Sequence, residues 1–288
     1  MRLLQTECMN IHPFDEALHL EAAGSAQPDT WLGTTSPAYW NMVGPFGGTT
    51  AAIAVRAVML HPLLLGEPIA LTVNYAAALS AGAFEVTAKP VRTNRSTQHW
   101  SIEQRQTDPA KGDSVVVTTA TAVTAARRSS WSASESPMPV LDRATAGPRF
   151  AFANAEWTHR YDIRAARGGL PQNWDGAEAM GDDASLTQLW VRDEPPRPLD
   201  FASLAAMADA FYPRIWLRRP LQVPAGTVSI TTYFHAGSAQ LAQSGTAYLL
   251  GQAKAQAFNN GFFDQTAQLW NEDGHLVATS HQIVYYKS

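Results

Sequence analysis

Two stretches of this chain spell out the same order of elements, and that duplication limits the fold more than any other feature. Residues 47–59 (GGTTAAIAVRAVM) read as a small-residue helix. His61-Pro62 follows, then strands at 69–77, 83–92, 98–107 and 114–125. Residues 201–212 (FASLAAMADAFY) read as a second apolar helix, followed by Pro213 and strands at 227–235, 246–257, 262–271 and 275–286. Helix, proline and four strands thus recur at an offset of roughly 150–165 residues. The copies differ in one respect. Asp209, Thr227 and Gln282 stand in the second copy where the first has apolar residues, with Asp209 aligned to Val58 and Gln282 to Ala122.

A chain of 288 residues has room for two such units, and 45% hydrophobic residues supply a core for each. The expected boundaries are 1–127 for the first unit, 128–153 for a linker and 154–288 for the second. The linker is marked by the Ser/Pro/Ala-rich, aperiodic run RSSWSASESPMPVLDRATAGPR at 128–149. A net charge of −4 argues against a nucleic-acid partner held on a basic surface. The single cysteine, Cys8, excludes an intramolecular disulfide and a cysteine-based zinc cluster. The start MRLLQTECMNIHP lacks a signal-peptide core, and the apolar run at 51–65 is broken by Arg56, His61 and Pro62. A cytoplasmic protein with no membrane partner is expected.

Each copy reads as a helix wrapped by an antiparallel sheet, an α+β class. The helix at 49–60 carries one charge, Arg56, so nearly its whole circumference belongs in a core. The strands alternate: Trp100 and Ile102, with the stems of Gln104 and Gln106, oppose Ser101, Glu103, Arg105 and Thr107. Hairpin turns fall at 111–113 and 272–274. Phe14 to Leu20 reads as a first strand and 31–33 as a short second one. In the second copy, strands are expected at 157–165 and 186–192, separated by a Gly-rich loop at 166–184.

Asp209 is the one charged side chain between Asp200 and Arg214. Within an apolar helix it either reaches solvent at the helix edge or holds a shifted pKa for a purpose, because burying a carboxylate costs several kcal/mol. A carboxylate, a hydroxyl and an amide together can hold and deprotonate a water, which raises Asp209, Thr227 and Gln282 as a set. Gly47 and Gly48 open a helix whose free amides can polarise a carbonyl oxygen or bind phosphate, or simply allow close packing. Arg92 and Arg95, and Arg214, Arg218 and Arg219, are loop arginines that a phosphorylated ligand can use. The eight histidines show no metal-ligand spacing. There is no G-x-S-x-G elbow, P-loop or G-x-G-x-x-G, and neither a metal nor a cofactor is expected.

GPFGGTTAAIAVRAV and LTVNY in the first half, with MADAFYP, TVSITTYFH and DGHLVATSHQ in the second, resemble the type II (TesB-like) acyl-CoA thioesterases, a double-hotdog family. The resemblance covers nearly the whole chain, and its closing motif, D-G-x-L-V-A-x-x-x-Q, is the more specific part. It implies two tandem hotdog units and hydrolysis of acyl-CoA, an activity of fatty acid metabolism that releases free acid and coenzyme A. In that family an Asp on the second hotdog helix, a Thr early in the next strand and a Gln in the last strand orient the hydrolytic water. Asp209, Thr227 and Gln282 match them in turn. Loop 166–184 has no place in the family pattern, which leaves the acyl pocket open. A non-catalytic acyl-CoA or lipid binder is the alternative. Hotdog hydratase chemistry needs an Asp and a His five apart, whereas Asp15 and His19 are four apart. Two fused units can stand as a monomer or associate into a homo-oligomer, a dimer or higher.

Overall fold

Strand alternation sets the architecture, and β5 (Thr97–Thr107) shows it most clearly: Gln98, Trp100, Ile102, Gln104 and Gln106 are buried while His99, Ser101 and Thr107 are exposed. The computed structural model describes residues 11–108 and 111–287, so Cys8 and the N-terminal segment lie outside the described residues. In the first half the strands are β1 (Glu21–Ala22), β2 (Thr30–Thr34), β3 (Glu67–Tyr75), β4 (Ala83–Thr93), β5 and β6 (Ser114–Ala125). The second half contributes β7 (Tyr161–Arg167), β8 (Thr187–Asp193), β9 (Ala225–Phe234), β10 (Leu249–Lys254), β11 (Phe258–Asn259), β12 (Phe262–Trp270) and β13 (Leu276–Tyr286). All join one antiparallel sheet, in the order β1-β2-β4-β5-β6-β3-β9-β13-β12-β10-β8-β7, with β11 paired to β12.

Read outward from the β3–β9 seam, the two halves repeat each other strand for strand. At the seam Thr72 pairs with Thr231, their hydroxyls 2.9 Å apart, so equivalent residues of the two copies meet. Two helices lie on the sheet and pack against one another: α2 (Gly47–Met59) from the first half and α3 (Phe201–Met207) from the second. From Gly48 to Val58 only Arg56 is exposed, as expected of a helix caught between a sheet and a second helix. This is the duplicated α+β unit that the repeat implies, and the tandem double hotdog that the resemblance implies. No helix among the described residues is long and apolar enough to cross a membrane.

Four expectations need correction. Phe14–Leu20 is not a strand: α1 (Pro13–Ala17) occupies it. The His12 ring accepts the Phe14 amide hydrogen, Pro13 fits the first turn, and Asp15 and Glu16 favour a helix start. The second-half strand begins at Tyr161 because Glu156–Arg160 form a 3-10 turn. The helix expected over 201–212 ends at Met207; the Asp209 and Ala210 amides then bond three residues back, to Ala206 and Met207, tightening the chain before Pro213. After it come α4 (Arg214–Arg218) and, between β9 and β10, α5 (Ser238–Ser244), neither of which the hydrophobic pattern announces. Lastly, Arg214 is no exposed loop residue but is fully buried.

Candidate active site

Ending α3 early is what places Asp209. The carboxylate stands in the turn beyond the helix, held from two sides. Ser280 Oγ on β13 donates to the Ala208 carbonyl at 3.2 Å. The Arg214 guanidinium donates to the Tyr212 and Ser185 carbonyls and to Thr187 Oγ1, tying the turn to β8. Buried with no carboxylate beside it, Arg214 has its pKa lowered to about 10 by desolvation, and backbone oxygens stabilise its charge instead.

Asp209 is 8% exposed and faces the N-terminus of α2. It accepts hydrogen bonds from the Gly48 amide and the Gln282 side-chain amide. Phe46, which precedes α2, offers that helix no side-chain cap, so a carboxylate from the other half of the molecule serves the exposed amides. Burial outweighs both hydrogen bonds and pushes the Asp209 pKa up to about 7. The glycines are obligatory here. A Cβ on Gly47 would fall 2.7 Å from Asp209 Oδ2, and one on Gly48 would fall 2.5 Å from the Ala206 carbonyl oxygen. Gly47 and Gly48 therefore permit both the helix-on-helix contact and the carboxylate's approach.

Thr227 Oγ1 on β9 donates to Gln282 Oε1 on β13 at 2.8 Å, which leaves the Gln282 amide nitrogen for Asp209. Gln282 is buried, although glutamine as a residue type is mostly exposed. Tyr75, at the end of β3, donates to the Gly47 carbonyl at 2.8 Å and lies close enough to Asp209 for the carboxylate, added to burial, to raise its pKa well above the usual value. The structure thus brings Asp209, Thr227, Gln282, Gly47 and Gly48 together.

Arg92 and Arg95 are elsewhere, at the exposed β4–β5 hairpin, where Arg92 Nε donates to Asn94 Oδ1. Thr97 at that hairpin pairs with Ala125, and Ala125 with Glu67, so the arginines lie level with the start of β3. Tyr75, beside Asp209, is at its other end, about 25 Å away at 3.3 Å per residue. Sequence reasoning missed two residues of the cluster's surroundings, Tyr75 and Gln265. Gln265 is 2% exposed and is the register partner of Gln282. The available signal was a glutamine on the inward phase of β12, between buried Phe263 and Ala267. Among the described residues no three His, Cys, Asp or Glu side chains gather as metal ligands.

A family model described as the acyl-CoA thioesterase N-terminal domain matches residues 36–125, and one described as the acyl-CoA thioesterase C-terminal domain matches residues 134–286. A hot dog fold protein of unknown function from Alicyclobacillus acidocaldarius is 44% identical, over 96% of this chain and 99% of that one, with a TM-score of 0.85. A putative thioesterase II from Thermobifida fusca YX (17% identity, 97% and 99% of the two chains, TM-score 0.75) shares the fold. So does the acyl-CoA thioesterase II TesB2 from Mycobacterium marinum (16%, 95% and 96%, TM-score 0.71). No curated protein matches the chain.

Proposed function

Because this chain belongs to the acyl-CoA thioesterase family, and is a thioester hydrolase, we propose that it cleaves acyl-CoA with a water activated by Asp209 and oriented by Thr227 and Gln282. One observation carries this reading. A buried carboxylate with its pKa pushed up to about 7 ends a hydrogen-bond chain that runs from Thr227 through Gln282. Such a group takes a proton from water and returns it at neutral pH with little penalty in either direction.

Gln282 and the Gly48 amide hold the Asp209 carboxylate in place, and its remaining lone pairs accept a proton of the bound water. Thr227 spends its own hydrogen on Gln282, so its oxygen is free to accept the water's second hydrogen. The water oxygen forms a bond to the thioester carbon as Asp209 takes the proton, and the carbonyl π pair moves onto oxygen. Collapse of that intermediate breaks the C–S bond. Asp209 returns its proton to the departing sulfur, giving a carboxylic acid and the coenzyme A thiol and leaving the carboxylate as it began. The chemistry needs neither an electron carrier nor an external acid.

The test is free-thiol release from acyl-CoAs running from acetyl to palmitoyl, with wild type and Asp209→Asn compared. Release that depends on Asp209 supports the reading and gives the chain-length range. Undiminished release by Asp209→Asn overturns the role of Asp209. A folded wild type that releases no thiol from any of them supports an acyl-CoA or lipid binder instead.

A further inference from the structure

The proposed reaction places negative charge on the thioester carbonyl oxygen, and three donors grouped around Asp209 are already committed. The Gly48 amide and the Gln282 side-chain amide both serve the carboxylate, and the Thr227 hydroxyl serves Gln282. Next to them is a donor with nothing to donate to. Gln265 Nε2 is buried and has no hydrogen-bond partner. Its position is fixed by the sheet, because Gln265 and Gln282 are cross-strand partners on β12 and β13. Residues so paired project from the same face with Cβ atoms about 4.5–5.5 Å apart. β13 lies between β9 and β12. Gln282 is the register partner of Ile230, and Thr227, opposite Val284 beyond a bulge, reaches Gln282 diagonally through its 2.8 Å hydrogen bond. Gln282 thus links Thr227, Gln265 and Asp209.

A buried amide donor left unpaired costs about 1–3 kcal/mol. On its own strand the neighbours are apolar: Phe263 and Ala267 flank Gln265 on the same face, and both are buried. The first half meets the same demand differently. Gln98 and Gln106, also inward on their strand, place both ends of their amides on backbone or hydroxyl partners, whereas Gln104 between them leaves its Nε2 unpaired as Gln265 does. What sets Gln265 apart from Gln104 is its place: its cross-strand partner is Gln282, which serves Asp209.

Resting on the thioesterase reading, we propose that Gln265 is a further catalytic residue: its side-chain amide donates to the thioester carbonyl oxygen and stabilises the oxyanion that forms when water attacks. No proton is transferred by Gln265. Its N–H holds the oxygen while the π pair resides there, and the bond strengthens as charge builds. A donor whose acceptor arrives only with substrate spends nothing on the empty site, and its effect falls on the chemical step.

Two measurements on the full-length protein test this. The first is steady-state hydrolysis of the best acyl-CoA from the acetyl-to-palmitoyl series by wild type, Gln265→Met and Gln265→Glu, with melting temperatures recorded alongside. Met keeps the length and removes the donor; Glu keeps the shape and replaces the amide hydrogens. The expected result is a kcat lower by about 10²–10³ with KM within about threefold, whatever the melting temperature does. The second is calorimetric binding of two analogue types at acetyl, hexanoyl and palmitoyl lengths. One is a ketone that keeps the carbonyl and exchanges sulfur for CH2; the other is a thioether that keeps sulfur and exchanges the carbonyl for CH2. Wild type should favour the ketone by about tenfold, the worth of one hydrogen bond, and Gln265→Met should lose that preference.

A Gln265→Met protein with kcat within threefold and an unchanged ketone-to-thioether ratio overturns the proposal and leaves Gln265 a packing residue that binds an internal water. Should Met prevent folding, Gln265→Glu is read by the same criteria. Wild type that binds the ketone through Gln265 but hydrolyses nothing supports the carbonyl contact and sinks the hydrolytic reading. Failure of wild type to bind either analogue overturns both.

Discussion

The two halves of this molecule bury the same kinds of polar residue and use them in opposite ways. In the first half Gln98 accepts the Leu65 amide hydrogen at 2.8 Å and donates to the Leu63 carbonyl and Thr93. Gln106 does the same for the segment around Ser80. These amides staple loops to strands, and every bond ends on a group that cannot titrate. In the second half Gln282 joins a hydroxyl to a carboxylate, and Gln265 donates to nothing. The helices differ in parallel: α2 runs unbroken for 13 residues, whereas α3 stops after 7 and presents Asp209 in the turn beyond. Burial of polar groups is therefore no signal of chemistry by itself. What distinguishes the second half is that its buried polar groups join one another in a chain, Thr227 to Gln282 to Asp209, that ends on a carboxylate.

The largest break in this asymmetry is Asp209→Asn. General-base removal should lower kcat by about 10²–10⁴, read by thiol release, with the fold intact by circular dichroism. For wild type, kcat/KM should fall about tenfold per pH unit below pH 7, since Asp209 acts only when ionised and titrates near that value. Stability should move the other way. Because the folded pKa is raised above the ordinary 3.8, the unfolded chain loses this proton first, and stability declines as pH rises from about 4 to 7. Above pH 7 the burial penalty is fully present. Asp209→Asn should thus be more stable than wild type at pH 8, by at most about 4 kcal/mol, and the gain should vanish below pH 4. Thermal melts at pH 4 and 8 measure it.

A smaller effect is expected from Gly48→Ala. The added Cβ meets a backbone carbonyl, that of Ala206, so α2 and α3 must separate. Overpacking of this kind costs about 1–3 kcal/mol, and the shift also carries Asp209 away from its amide partner. Activity should drop about 10- to 100-fold. If Gly48→Ala melts and turns over like wild type, close helix contact is not what holds the carboxylate.

Asp193 sharpens the comparison within the second half. It too is buried, with its pKa pushed up to about 7 by desolvation, while Ser203 Oγ donates to it at 2.6 Å. Its other oxygen, Oδ1, has no partner. With no link to the Thr227–Gln282 chain, Asp193→Asn should gain stability at pH 8 by roughly 1–3 kcal/mol and keep kcat within about twofold. A loss of turnover as deep as that of Asp209→Asn would mean that burial, not the hydrogen-bond chain, marks the working carboxylates.

Much of this was legible in the sequence for a physical reason. Duplication, strand alternation and the apolar circumference of 49–60 are properties of long segments, where many residues agree. Asp209 stood out as the one charge in an apolar helix, whereas Thr227 and Gln282 are ordinary strand residues that gained meaning only as a set with it, and their mutual contact depends on which strands pair. What could not be read are features set by single contacts between distant segments. The α3 break follows from where Ser280 and Arg214 grip the turn, and the burial of Arg214 from carbonyls supplied by residues 185 and 212. Gly47 and Gly48 were legible as a close approach, but the group they admit comes from 160 residues away. Gln265 was hidden because a glutamine on a strand looks the same whether its amide is paired or free.

The smallest effect should come from the arginines of the first half. Charge in an exposed turn resembles a phosphate site in sequence, and coenzyme A carries phosphates, so Arg92 and Arg95 were reasonable candidates. The sheet register separates them from Asp209 by the length of β3. The phosphates of a bound CoA would have to reach along the whole strand to meet them. Nor are the two poised for an anion, since Arg92 already donates to Asn94 within its own turn. Arg92→Ala with Arg95→Ala should therefore change KM for acyl-CoA by less than about twofold at 0.15 M salt. A KM raised tenfold, and raised further as salt is lowered, would show that the ligand spans both halves and that the first contributes more than a scaffold.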